Sequence, residues 1–206
     1  MQNAQDNEGS HSALSFDANL PVNFCIWILN YDGLQVPPFD RHIGGNGILR
    51  SQGLTSNDWL TWLQQVVQSH RNMKAIGSEL VPSPNYFPDR FWQGEEKMRE
   101  ILARLWIQYA TLPNIRPSFP TLVSSPSWNQ QNARQMHQLV IDIRRLRPQA
   151  PTLGIYFVDY PEVEYLMPPN DAIIHLGDLQ IRTPEFFARV MNIAQKLATT
   201  DTTSSD

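Results

Sequence analysis

The chain has 206 residues, 41% of them hydrophobic and 10% aromatic, enough for one sizeable core without disulfide or metal staples. Only 17% are charged, and the net charge is −4 at a pI near 5.7. That balance speaks against a nucleic-acid partner, since such binding draws its affinity from Lys and Arg on phosphates.

Residues 1–18 are small and polar without periodicity and read as a disordered N-terminal tail. Residues 19–199 read as a single globular domain, and 200–206 as a second disordered tail. No basic segment followed by an apolar one opens the chain, so no secretory signal is expected. The most continuous apolar run, Val22–Leu29, is too short to span a bilayer. A single cysteine, Cys25, rules out an intramolecular disulfide and suits a reducing, cytoplasmic location. Inside that run it reads as a small buried hydrophobe rather than a reactive thiol.

Val22–Leu29 is rich in Val, Ile, Phe and Trp, and Asp32-Gly33 is a dipeptide favoured in tight hairpin turns. A hairpin is therefore predicted, with Leu34–Val36 as the return strand and Pro37-Pro38 ending it. Gly44, Gly45 and Gly47 mark a loop over Ile43–Gly53; they lack the Lys and Ser/Thr that would hold a nucleotide phosphate.

A helix follows over Leu54–His70. Thr55 stands as N-cap with Asp58 three residues on, close to a capping box, and Leu54 and Trp59 are placed for a hydrophobic staple. Trp59, Trp62, Leu63, Val66, Val67 and His70 share one face, read as a core face rather than a binding platform. Arg71–Pro88, with three prolines, is an irregular connection long enough to be functional. A second helix is predicted over Phe91–Tyr109, with Met98, Ile101, Leu102, Leu105, Trp106 and Tyr109 inward. Leu112–Pro126 is proline-rich and extended. A third helix runs from Ser125 or Ser127 to Arg147. The arginines 144, 145 and 147 at its end read as complements to the helix dipole rather than an anion patch.

Strands then take over: Leu153–Val158, Val163–Met167 and Ala172–Leu176, with Leu179–Ile181 after a Gly177-Asp178 turn. Thr183 as N-cap and Pro184 at the first position start a last helix to about Leu197. Helices and strands come in runs, without regular alternation. The fold class predicted is α+β: about four helices packed with a mostly antiparallel sheet made of the N-terminal hairpin and the C-terminal meander. No internal repeat is present.

No nucleotide-loop, zinc-ligand or nucleophile-elbow signature occurs, and no cofactor or metal is expected. The ionisable groups at strand ends are Asp32, Asp40, Arg41 and His42 on one side, and Asp159, Glu162, Glu164 and His175 on the other. If the hairpins pair, Asp40, His42 and Asp159 could form a metal-assisted or general acid/base hydrolase site. The preferred expectation is a soluble, non-catalytic interaction or regulatory module that binds a protein partner or itself. Its candidate contact residues are Pro38, Phe39, Tyr86, Phe87 and Phe119, aromatics carried on rigid proline-rich segments.

Overall fold

Leu153–Val158 (LGIYFV) is apolar at every position and buried along its whole length, as a strand covered on both faces must be. The computed structural model, which describes residues 13–17, 20–39, 45–75, 95–112, 130–158, 160, 163–175 and 183–202, makes this strand, β2, an interior strand of a four-stranded sheet. The others are β1 (Leu14–Asp17), β3 (Glu164–Met167) and β4 (Asp171–His175), in the order β1-β2-β4-β3. β1, β2 and β4 are mutually parallel, and β3 runs antiparallel to β4 at the edge.

Helices cover both faces. α1 (Leu20–Asp32), α2 (Ile48–Ser51), α3 (Ser56–Ala75) and α4 (Glu96–Thr111) pack on one side; α5 (Gln130–Leu146) and α6 (Pro184–Thr202) pack on the other. The strand period of two divides β2 between the layers: Tyr156 and Val158 join the α1–α4 core, while Leu153, Ile155 and Phe157 join the α5–α6 core.

The sheet is thus mixed, not mostly antiparallel, and six helices rather than about four are present among the described residues. One of the added helices, α2, is a single turn inside the stretch predicted as the Ile43–Gly53 loop, and two larger differences stand beside it. First, the predicted N-terminal hairpin is α1. Its run Val22–Leu29 is buried except for a half-buried Trp27, so it carries no amphipathic stripe to betray a helix. Asn23, the polar break in the run, donates to the Phe157 carbonyl of β2 at 3.0 Å. Gly33, at φ 75°, ends the helix rather than turning a hairpin; the N–H groups of Gly33 and Leu34 both return to the Leu29 carbonyl. Second, a strand comes from inside the stretch read as a tail. Leu14 and Phe16 pack with the α5–α6 core, so β1 earns its place at the edge.

The first three C-terminal strands lie where the pattern put them, within a residue; the fourth, Leu179–Ile181 after the Gly177-Asp178 turn, lies outside the described residues. Their order differs, because β4 inserts between β2 and β3 instead of extending a meander. The helix signals at α3 and α6 hold. Thr55 Oγ1 accepts from the Asp58 N–H at 3.1 Å, and Asp58 Oδ2 accepts back from the Thr55 N–H at 3.0 Å. Thr183 Oγ1 accepts from the Phe186 N–H. α6 continues to Thr202, beyond the predicted domain end. Among the described residues no helix is long and apolar enough to cross a membrane.

Candidate functional site

Helix α3 is fastened to the sheet by two consecutive residues, His70 and Arg71. In the strand register Asp17 of β1 lies beside Tyr156 of β2, and Asp171 of β4 lies beside Gly154 of β2. The two carboxylates therefore flank β2 on the same face. His70 Nε2 pairs with Asp17 Oδ2, and the His70 ring meets Tyr156 edge-on, centroids 6.1 Å apart. Arg71 Nη1 donates to Asp171 Oδ2 at 2.9 Å, and Nη2 donates to the Thr152 carbonyl.

Gly154 is what lets Asp171 lie there: a Cβ at this position would come within 2.4 Å of Asp171 Oδ1. Asp171 is only 7% exposed, and its Oδ1 has no hydrogen-bond partner among the described residues. Burial pushes its carboxyl up to about 6, against the opposing pull of Arg71 and Arg147. Burial, and then the Asp171 charge, also raise the Tyr156 phenol well above its ordinary value.

The turn between β3 and β4, with a cis Pro168–Pro169 bond, is held by Arg147. Its Nη2 donates to the Pro169 carbonyl and to Asn170 Oδ1, each at 2.6 Å. Of the three arginines ending α5, this one is buried and clasps a turn instead of facing a helix end in solvent.

A groove of about 640 Å3 opens over this corner. One wall is a polar stripe of α3, with Thr61, Gln64, Gln65 and Gln68 at i, i+3, i+4 and i+7. The other is β3, from Tyr165 to Met167, with the Pro168–Asn170 turn; Arg71 and Asp171 close one end. Among the described residues β3 is the last strand of the sheet. The His175 N–H bonds the Val163 carbonyl, and alternation along the ladder then turns the N–H and C=O of Glu164 and Leu166 away from β4. The groove thus combines outward backbone groups of an edge strand with a row of side-chain amides.

The residues predicted for a site fare differently. Asp40, His42 and Asp159 lie outside the described residues, as do Tyr86, Phe87 and Phe119. Phe39 is not a projecting contact. It is 0% exposed, packs edge-on against Trp59, Tyr160 and Tyr165, and its carbonyl accepts from the Tyr160 hydroxyl at 2.9 Å. Its neighbour Pro38 is exposed. Trp59 and Trp62 are core residues, and Cys25 is buried with its thiol pushed up by that burial. Glu164 pairs with Arg189 and Lys196 of α6. Among the described residues no three His, Cys, Asp or Glu side chains are grouped to hold a metal ion.

The apolar face of α3 carries the stronger sequence pattern, and the groove lies on its opposite side. Its signal is the complement of that face: Thr61, Gln64, Gln65 and Gln68 form an uncharged polar stripe on a helix whose other positions supply core. Compared with known proteins, the chain matches no family model, no curated protein and no solved structure.

Proposed function

We propose that the protein is a recognition module that binds an extended segment of a partner protein in the groove between α3 and β3. The segment adds as a strand along β3, bonding the N–H and C=O of Leu166, while its side chains lie against the amide stripe of α3. Main-chain bonds supply affinity in this mode, and alternate side-chain positions supply selectivity.

One observation carries the reading: β3, the last strand of the sheet among the described residues, and Gln64, Gln65 and Gln68 of α3 line the same groove. Charge supports it as well. The two charged side chains lining the groove, Arg71 and Asp171, are paired with each other, so an uncharged polar main chain meets a matching wall.

The test is a display library of random ten-residue peptides selected on the purified chain, with the binding site mapped by backbone amide shifts. Binders should perturb the amides of 164–167 and of Gln64 and Gln68. Replacing both glutamines, Gln64→Lys with Gln68→Lys, should weaken binding at least about tenfold with the melting temperature unchanged. Binders that leave those amides and that double variant indifferent would place recognition elsewhere.

A further inference from the structure

The end of the groove contains a pair that is only half made. Asp171 is held through one oxygen, by a single hydrogen bond from Arg71, while its other oxygen lies buried against Gly154 with no partner among the described residues. Arg71 is the opposite: its side chain is 24% exposed and lines the groove. A buried carboxylate gains little from such a pair, because desolvation offsets most of the attraction. A part-exposed guanidinium, anchored through Nη2 to the Thr152 carbonyl, is by contrast placed to pair with a carboxylate arriving from solvent.

We infer that the groove selects a partner segment carrying a carboxylate side chain, which displaces Asp171 from Arg71 while Asp171 takes up one proton from solvent. This rests on the strand-addition reading above and adds its chemistry and its regulation. Charge balances across the exchange: one ion pair is broken and one formed, and Asp171 becomes a neutral acid in a site that already disfavours its charge.

The charged and titratable groups packed around Asp171 among the described residues are Arg71 and His70 of α3, Asp17 of β1, Tyr156 of β2, Tyr165 of β3 and Arg147 after α5. Two are arginines, charged throughout the relevant range, and the phenols are raised by burial. Asp171, with its carboxyl at about 6 and one oxygen without a partner among the described residues, is the group that takes up the proton in this exchange. Linkage then makes binding of the acidic segment tighten as pH falls toward that value.

The experiment uses two acetylated, amidated seven-residue peptides of alternating Thr and Gln, one with a central Glu and a twin with Gln in its place. Binding to the full chain is measured by calorimetry at pH 5.5 and 7.5, in buffers of different ionisation enthalpy to count protons. The Glu peptide should bind about twentyfold more tightly at pH 5.5 than at pH 7.5, with uptake near one proton at the higher pH. The Gln twin should be indifferent to pH. Asp171→Asn should bind the Glu peptide at pH 7.5 as tightly as the native chain does at pH 5.5. If both peptides bind equally at both pH values without proton uptake, the displacement is wrong while strand addition stands. If neither binds at either pH, both proposals fall. The two peptides decide the matter on the native chain even if the variant fails to fold.

Discussion

Two buried aspartates hold two corners of this molecule, and they are built to different standards. Asp32, 0% exposed, ends α1 and caps α2. One of its oxygens accepts from the Leu49 N–H at 2.6 Å and the other from the Arg50 N–H at 3.0 Å, with Arg50 Nε 3.4 Å away. Asp171 is almost as buried, yet one of its oxygens has no partner among the described residues. A carboxylate with both oxygens bonded to backbone N–H groups is a finished structural joint. A carboxylate left half-satisfied subtracts from stability, and this one lies at the end of the groove. The contrast separates an aspartate kept for the fold from one kept in a costly state beside the groove proposed to bind a partner segment.

The sharpest way to break this comparison is to remove the first aspartate. Asp32→Ala leaves the Leu49 and Arg50 N–H groups without their acceptor, one of them buried, and should cost about 2–4 kcal/mol in urea unfolding. If Asp171→Ala cost more than Asp32→Ala at neutral pH, the two corners would have been ranked the wrong way round.

Next comes the seat of Asp171. Gly154→Ala places a methyl group where Asp171 Oδ1 now lies and should cost about 1–3 kcal/mol through overpacking. The cost belongs to the carboxylate, so in an Asp171→Ala background it should shrink by at least about 1 kcal/mol in a double-mutant cycle. Additive effects would mean that Gly154 is required for some other reason.

The same contrast explains what could be read from the residues and what could not. The capping box at Thr55, the cap at Thr183 and the β2 strand rest on local chemistry within a few residues, and each stands as predicted. α1 was misread because its partners surround it: a helix buried nearly all round loses its periodicity, and β-branched and aromatic residues then argue for a strand. The parallel sheet was misread because its first strand is four residues in a polar stretch, given meaning only by pairing with Leu153–Tyr156. The groove has a local half, the Thr61–Gln68 stripe, which is not among the predicted features although it is the complement of the predicted core face of α3. Its other half, the pairing of Arg71 with a carboxylate 100 positions away, exists only once the sheet has formed.

A smaller effect follows from Asp171's titration. Its carboxyl is raised from 3.8 to about 6, so between those values the folded chain binds more protons than the unfolded one. The stability it contributes is present below about pH 4 and is lost as pH rises through 6, then stays level. Asp171→Asn should remove that decline. Its urea midpoint, followed from pH 4.5 to 7.5, should equal or exceed the native one at pH 7.5, a gain of about 1–2 kcal/mol at most. A marked loss at pH 7.5 would show that the Arg71 pair stabilises the fold and is not a replaceable contact.

A third aspartate, in solvent, gives the smallest effect and the opposite sign. Asp58 accepts from the Thr55 hydroxyl at 2.6 Å and from the Thr55 N–H, and these bonds, the hydroxyl first, hold its carboxyl below 3.8. Its contribution is therefore present above that value and is lost as pH falls through it. Asp58→Asn should cost about 0.5–1 kcal/mol near pH 6, as a weakened capping box does, and progressively less as pH falls below 3.8. Native chain and variant should then converge in acid, whereas Asp171→Asn and the native chain draw apart as pH rises. Seeing both slopes in one set of midpoints would show that a carboxylate's environment fixes the sign of its pH dependence. Asp58 gains from being ionised because two donors wait for its charge in solvent, and Asp171 loses because burial penalises its charge by more than Arg71 and Arg147 offset.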